Sequence, residues 1–325
     1  SIRLLCIAIF LIPLASKADP TIIRIGTGGS AGTYYPIGSL IANAISDPNG
    51  LHAGASYNEP ELIAIAQRAT GSASNVTDVN QGLLEGGLAQ ADIAHWAFNA
   101  KGPFESEQAS INIRGIATLY LESVHLVVRS GANINSIRDL KDKRVSLDEQ
   151  GSGTRLDVLT ILEAYGLTPA TFKPAYLKTT DAIDRLRKDE LDAFFIIAGY
   201  PVKAVSELMA NGDAKLVPIE GPVIDGIVER FAYFSKDNIP ANTYKNTNNI
   251  STIGVPAQLI INSDIDNDTA YNITSMLWSP ATLILMRTGH PKGHEMRLDS
   301  ALAGMGIPLH PGAERFYREQ GMLND

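Results

Sequence analysis

Short apolar runs alternate along the chain with segments in which apolar residues recur every third or fourth position. The first pair is the β-branched run 21–26 and the segment 36–45, in which Ile37, Leu40 and Ile41 share one helical face. The polar, Asn-rich stretch 237–251 predicts a long loop. Strands that alternate with helices indicate βαβ units and parallel sheets. The pattern predicts further strands at 62–67, 125–129, 144–147, 193–197 and 258–261, and helices from residue 92 and at 155–165, 181–188 and 271–278.

The first 18 residues have the order of charged, apolar and small residues that is typical of a secretory signal peptide. Arg3 precedes the apolar run 4–14, and Ser16 and Ala18 occupy the −3 and −1 positions of a cleavage site before Asp19. This run is shorter than the roughly 20 residues that a helix needs to span a bilayer. We therefore expect residues 1–18 to be removed and the remaining chain to be soluble and exported.

Composition narrows the possible functions. A length of 325 residues predicts two domains, and 45% hydrophobic with 19% charged residues is typical of a globular protein. The formal charge of −8 repels phosphate backbones, so no nucleic-acid partner is expected. Cys6 is the one cysteine and the six histidines form no tight cluster, so we expect no disulfide scaffold, no metal site and no cofactor.

The glycine-rich stretch 26–36 follows the first predicted strand and matches more than one motif. Gly26–Ala31 fits a dinucleotide fingerprint, but Pro36 must lie in the first helical turn, which makes the loop too long. Gly28–Gly32 around Ser30 fits the nucleophile elbow of a hydrolase, but only one strand precedes it to supply an oxyanion loop. The remaining interpretation is an open cradle of backbone N–H groups that suits a carboxylate.

Two further junctions between a strand and a helix have similar chemistry. The stretch 150–155 contains Ser152 and Thr154, whose hydroxyls can cap the helix or face a ligand, whereas Arg155 is expected to be solvated. The stretch 67–75 offers Ser72 at a strand end, and Asn75 as either a helix N-cap or a ligand contact. Because both stretches lie at the carboxyl ends of strands, we expect a ligand between two α/β lobes.

At this point the sequence resembles the TAXI-type solute-binding proteins of tripartite ATP-independent periplasmic (TRAP) transporters. The most distinctive segment is Pro308–Tyr317, which reads Pro-Leu-His-Pro-Gly-Ala-Glu-Arg-Phe-Tyr. The segment 52–60 departs from the family, because it is longer than the minimal pattern and lacks the cysteine of close relatives. The resembling segments, in order, are 25–36, 71–76, 89–92, 121–127, 151–154, 191–195 and 307–317.

The resemblance implies a type II periplasmic-binding-protein fold, with two α/β lobes joined by hinge strands and a ligand cleft between them. Residues 19–122 and 254–325 would form the first lobe and residues 123–253 the second. The implied function is capture of a small carboxylate, such as glutamate, glutamine, a dicarboxylate or an oxoacid. A periplasmic monomer that is not an enzyme would deliver this ligand to TRAP membrane subunits.

The carboxyl ends of the predicted strands also supply the candidate ligand residues. Glu122 is expected to meet a ligand ammonium group or to serve the hinge, while His310 and Trp96 are expected to be structural. Two other classes stay open, namely an exported serine hydrolase that uses Ser30 and a surface adhesion or immunogenic protein without a small ligand. The candidate ligand residues are Thr33, Tyr34, Ser72, Asn75, Gln90, Ser152, Gly153, Thr154, Gly199, Tyr200 and Pro201.

Overall fold

The computed structural model describes residues 20–47 and 62–324, which fold around a ten-stranded sheet. The expected signal peptide and the segment 52–60 lie outside these residues. In chain order the strands are β1 (Thr21–Gly26), β2 (Leu62–Gln67), β3 (Gly86–Gln90), β4 (Ile113–Arg129), β5 (Arg144–Ser146), β6 (Lys173–Ala175), β7 (Ala193–Ala198), β8 (Ala214–Val217), β9 (Ser235–Ile239) and β10 (Ile250–Asn262).

Helices connect these strands and cover the sheet. No helix within 20–47 or 62–324 is long and apolar enough to cross a membrane. In chain order the helices are α1 (Tyr34–Ser46), α2 (Ser72–Asn80), α3 (Ala91–Asn99), α4 (Gly153–Ala164), α5 (Thr179–Arg187), α6 (Lys203–Asn211), α7 (Pro222–Arg230), α8 (Asn267–Leu277), α9 (Pro280–Gly289) and α10 (Pro311–Glu319).

Two long strands run through the centre of the sheet. The spatial order is β2-β1-β3-β10-β4-β7-β5-β6, with β8 paired to β4 and β9 paired to β10. On one side β1 pairs in parallel with β2 and β3, and on the other β5 pairs in parallel with β6 and β7. The 17-residue β4 and the 13-residue β10 are antiparallel neighbours that join the two parallel groups. They are therefore the connections between the two halves of the molecule.

The buried hydrophobic side chains separate into two sets along β4 and β10. Ala117, Leu119 and Tyr120 pack with β1, α1 and the C-terminal helices, whereas Val124 and Leu126 pack with α4 and β7. We call the half around β1–β3 and α8–α10 the first lobe, and the half around β5–β8 and α4–α7 the second lobe. The change on β4 falls between 120 and 124, an interval that contains the expected boundary after residue 122. The chain positions at which the lobes begin and end stay a prediction.

Two expectations about local structure were wrong. The stretch 237–251 is not one loop, because 237–239 belongs to β9 and pairs with the start of β10. Asn75 is not the N-cap of α2, because the helix begins three residues earlier, after Gly71. Gly71 has φ of +133°, a conformation that a residue with a Cβ rarely adopts, and this turn lets the helix start at Ser72.

Candidate functional site

A cleft of about 430 Å³ lies between the two lobes, a volume that suits a small molecule. The first lobe contributes the loop after β1, the loop after β2 and the end of β3. The second lobe contributes the loops after β5 and β6 and the end of β7. The lining residues are Gly28–Tyr34, Arg68–Ser72, Gln90 and Glu122 from the first lobe, and Asp148, Glu149, Ser152–Thr154, Lys178–Thr180, Ile196 and Ile197 from the second.

Four helices begin at this cleft, two from each lobe. Their N-caps are Thr33 for α1, Gly71 for α2, Ser152 for α4 and Lys178 for α5. None of these N-caps accepts a hydrogen bond from its own first turn through its side chain. The first-turn N–H groups have no intrahelical partner, and the helix dipole places positive potential there. Both lobes thus present hydrogen-bond donors to a ligand anion.

The charged side chains of the cleft have both signs. Arg68 and Lys178 are exposed cations at its rim. Glu122 is only 2% exposed, and burial raises its pKa to about 8, although Tyr34 and Lys292 partly oppose this shift. Burial likewise raises the pKa of Asp148 to about 6, while a hydrogen bond from Ser152 Oγ at 2.6 Å opposes the shift. Near neutral pH Glu122 is therefore largely uncharged and does not repel an anion.

Three hydrogen bonds join the lobes beside the cleft. Thr33 Oγ1 donates to the Gly199 carbonyl at 2.7 Å, and the Ser74 N–H donates to the Gly151 carbonyl at 3.0 Å. Gln90 Nε2 donates to Asp157 Oδ2 at 2.8 Å. A Cβ at Gly153 would overlap the side-chain oxygen of Gln90, so α4 packs against the first lobe too closely for any larger residue at this position. The two lobes are therefore in direct contact beside the cleft.

Among the expected ligand residues, most come together at this cleft, and all of those are buried or nearly so. Their hydroxyl and amide groups already form contacts: Tyr34 OH lies 3.2 Å from Ser72 Oγ, and Thr154 Oγ1 accepts the Ile197 N–H at 3.1 Å. The expected residues that line the cleft are Thr33, Tyr34, Ser72, Gln90, Ser152, Gly153 and Thr154.

The other four expected residues are not among those that line the cleft. Asn75 lies beneath its floor, where Nδ2 donates to the carbonyls of Thr27 and Leu88. Gly199 and Tyr200 lie at the neighbouring lobe contact, and Pro201 follows them in the chain. The Gly199 carbonyl is occupied by Thr33, and the Tyr200 ring faces Lys292 Nζ at 3.7 Å from its centroid.

The comparisons with known proteins agree with this architecture. Residues 25–321 match the NMT1-like family. The chain belongs to the NMT1-like family. Among solved structures, it is similar to a protein from Bordetella bronchiseptica RB50 at 14% identity over 93% of this chain and 82% of that one, with a TM-score of 0.54. Two lobes, two crossing strands and a cleft between them confirm the expected periplasmic-binding-protein fold.

Two SsuA proteins are also similar in structure. One is the alkanesulfonate-binding protein SsuA from Xanthomonas axonopodis pv. citri bound to MOPS, at 15% identity over 95% of this chain and 96% of that one, with a TM-score of 0.49. The other is the periplasmic aliphatic sulphonate binding protein SsuA from Escherichia coli, at 14% identity over 93% and 88% respectively, with a TM-score of 0.46.

Some lining residues of this NMT1-like protein were missed by sequence reasoning. Asp148, Glu149 and Lys178–Thr180 follow β5 and β6, which have only three residues each. The strand at 144–147 was predicted, but the candidates after it were sought only from residue 150 onwards. β6 was not predicted, because a three-residue strand that contains Pro174 gives no clear alternation of apolar and polar positions. The order of the strands could have identified these lining residues, because the loops that follow neighbouring parallel strands lie at the same edge of a sheet.

The structure also shows the surroundings of the residues for which the sequence left two interpretations. Glu122 lines the cleft, whereas Arg155 packs over the Tyr176 ring at 4.9 Å. Trp96 makes edge contacts with Phe231 and Tyr233. In a separate part of the first lobe, His310 is the N-cap of α10, where Nδ1 accepts the Gly312 N–H at 3.2 Å.

The hydrolase interpretation finds little support at Ser30. This exposed serine lines the cleft, but no hydrogen bond joins it to a described His, Asp or Glu that could act as a base. Within 20–47 and 62–324, no group of three or more His, Cys, Asp or Glu residues is arranged to hold a metal ion.

Proposed function

We propose that this NMT1-like protein is a periplasmic solute-binding protein that captures a small carboxylate by closure of its two lobes. The observation that carries the proposal is the convergence of four helix N-termini, two from each lobe, on one cleft of about 430 Å³. A ligand bound to one lobe can recruit N–H and hydroxyl donors of the other. Closure then removes water and strengthens these hydrogen bonds.

The charges of the cleft favour an anion. Arg68 and Lys178 are positive at the rim, and burial keeps Glu122 largely protonated near neutral pH. A protonated Glu122 can donate its O–H to a ligand oxygen, whereas an ionised one can accept from a ligand ammonium group. The comparison of glutamate with 2-oxoglutarate distinguishes these two roles. The resemblance to TAXI-type proteins supports a TRAP permease as the partner that receives the ligand.

Thermal unfolding tests the proposal directly. The purified chain is refolded to remove carried-over ligand and is then heated with glutamate, glutamine, aspartate, 2-oxoglutarate, fumarate, succinate or a neutral sugar. A ligand at about 100 times its Kd stabilises the folded state by roughly 2.7 kcal/mol, which raises Tm by a few degrees. A shift with one group of carboxylates is the expected result, and a shift with the sugar alone contradicts it.

Two lysine variants locate the binding. Lys178 and Lys188 are exposed residues at the N-cap and C-cap of the same helix, α5, but Lys178 alone of the two lines the cleft. We expect Lys178→Met to weaken carboxylate binding by about tenfold, because one cation near the ligand is lost. Lys188→Met is the matched control and should bind as the unmodified protein does. Equal weakening in both variants would place the ligand elsewhere.

A further inference from the structure

Two aspartates meet at the contact between the lobes, outside the residues that line the cleft. Asp92 is in α3 of the first lobe and Asp157 is in α4 of the second, and both are 0% exposed. One oxygen of each has an ordinary donor: Asp92 Oδ1 accepts the Ile93 N–H and Asp157 Oδ2 accepts Gln90 Nε2, both at 2.8 Å. The other oxygens, Asp92 Oδ2 and Asp157 Oδ1, find no N–H or O–H donor within the described part of the chain.

Asp92 and Asp157 are close enough for each to affect the pKa of the other, and a hydrogen bond between their two free oxygens requires a proton on one of them. Burial raises the pKa of both groups, and the charge of Asp92 raises the pKa of Asp157 further. No described Lys or Arg forms an ion pair with either aspartate. Two unpaired, buried carboxylates in contact do not both ionise, so the closed pair retains one proton.

Three other titratable groups interact with the two aspartates, and they act in different directions. His95, on the same helix as Asp92, favours the ionised form of Asp92. From β4, the charge of Glu122 opposes ionisation of Asp157, as does that of Asp92. Tyr233, in the segment between α7 and β9, faces both aspartates, and burial and their charges keep its phenol protonated by raising its pKa to about 12.

We propose that Asp92 and Asp157 share a single proton across the closed lobes and so form a pH-sensitive latch. When the lobes separate, water reaches both carboxyl groups and each ionises as an ordinary aspartate, with a pKa near 4. Opening therefore releases a proton, and closure takes one up. At pH values between the pKa of the open form and that of the closed pair, the equilibrium constant for closure falls by about tenfold for each unit by which the pH rises.

The latch is continuous with the cleft through a chain of buried hydrogen bonds. Tyr34 OH contacts Ser72 Oγ at 3.2 Å, and Ser72 Oγ donates to Gln90 Oε1 at 3.0 Å. Gln90 Nε2 then donates to Asp157, so the orientation of this amide is determined from both sides. A ligand held by Tyr34 and Ser72 stabilises the same closed state as the shared proton. In this respect the inference rests on the lobe closure of the proposed function.

Small-angle X-ray scattering of the ligand-free chain between pH 5 and pH 9 tests the latch. We expect the radius of gyration of the unmodified protein to rise with pH as the lobes open. In Asp92→Asn, the carboxamide Nδ2 can donate to Asp157 Oδ1 with no titratable proton, and the pair keeps the charge of its singly protonated form. This variant should remain closed to higher pH, with a flatter scattering profile.

Two further variants separate the latch from other titrations. Asp157→Asn places the donor on the opposite lobe and should flatten the profile in the same way, and it carries the test if circular dichroism shows Asp92→Asn to be unfolded. Glu190→Gln removes an exposed acid of the second lobe that lies outside the pair and the cleft, and should keep the pH-dependent opening. A flat profile in the unmodified protein, or an Asn variant that still opens with rising pH, overturns the inference. No ligand enters this readout, so its failure is distinct from failure of the carboxylate panel.

Discussion

The carboxamide of Asn75 is fully buried and uses both of its N–H groups on the backbone, at 2.8 Å to the Thr27 carbonyl and 2.7 Å to the Leu88 carbonyl. Thr27 follows β1 and Leu88 is in β3, so a side chain of α2 ties together two strands beneath the cleft. The sequence could identify Asn75 as a polar residue near the cleft. It could not show that the amide points into the sheet, because this depends on α2 beginning at Ser72.

Replacement of Asn75 should reduce stability. In Asn75→Ala the two carbonyls lose their donors in a buried site, and we expect a loss of about 2–4 kcal/mol in the free energy of unfolding. Urea denaturation measures this loss. Asn80→Ala at the other end of α2 is the control, because Asn80 is half-buried, and we expect it to cost less than about 1 kcal/mol. Equal losses would contradict the structural role of Asn75.

Thr154 supports the cleft through its hydroxyl, which accepts the buried Ile197 N–H at 3.1 Å. Thr154→Val keeps the shape of the side chain but leaves this N–H without an acceptor, so we expect unfolding to become easier by about 1–3 kcal/mol. Thr180 also lines the cleft but is exposed, and Thr180→Val serves as the matched control with little expected change. Guanidinium unfolding of the two variants makes the comparison, and an unchanged midpoint for Thr154→Val would contradict the prediction.

At the scale of elements, the start of α4 determines how closely the lobes approach. A methyl group at Gly153 would overlap Gln90 Oε1 and crowd Ser72 Oγ across the lobe contact. We expect Gly153→Ala to hold the lobes apart, enlarge the radius of gyration and weaken any ligand that needs closure. The folded lobes themselves should not lose stability, because the clash lies between them.

Gly226 provides the matched control for Gly153. It lies in α7 with open space around its would-be Cβ, so Gly226→Ala should leave the scattering profile unchanged. An alanine inside an exposed helix should also stabilise the protein by roughly 0.5–1 kcal/mol. Similar scattering from both variants would show that the approach of α4 does not limit closure.

The sequence predicted the elements best where their pattern is long and regular. The strands at 21–26 and 62–67 match β1 and β2, and the helix at 181–188 is within two residues of α5. The runs at 125–129 and 258–261 are only parts of β4 and β10, because a strand that crosses between lobes changes its buried face along its length. β6 escaped prediction because it has three residues and includes a proline.

At the scale of the whole molecule, buried acids and a buried histidine make stability depend on pH in opposite directions. His125 is neutral, since Nδ1–H donates to the Ser123 carbonyl and Nε2 accepts from Tyr244 OH, and burial lowers its pKa to about 4. The contribution of neutral His125 to the free energy of unfolding is present above pH 6.5 and is lost as the pH falls through 4. Glu122, whose pKa is raised to about 8, contributes stability that is present below 4.5 and is lost as pH rises through 8.

The two contributions offset each other at moderately acid pH, but above pH 6.5 the loss from Glu122 is no longer opposed by His125. The free energy of unfolding should therefore fall between pH 6.5 and pH 8. Glu122→Gln should make this fall shallower by up to about 1.4 kcal/mol per pH unit, the effect of one proton. Urea titrations at both pH values measure the slope. Glu190→Gln, at an exposed position, should keep the original slope, and an unchanged slope in Glu122→Gln would refute the assignment.

The position of β10 between β3 and β4 also has a consequence for the order in which the molecule can be assembled during synthesis. The shared strand β4 and strands β5–β8 of the second lobe are all translated before residue 250, so that lobe can form most of its sheet before β10 emerges. Until β10 emerges, the edge of β3 that it will cover has no partner, and exposed edges of this kind invite wrong pairing. β10, which connects the two lobes, is therefore the last strand to leave the ribosome. A protein that binds the chain during synthesis and delays its folding would have to cover the free edge of β3.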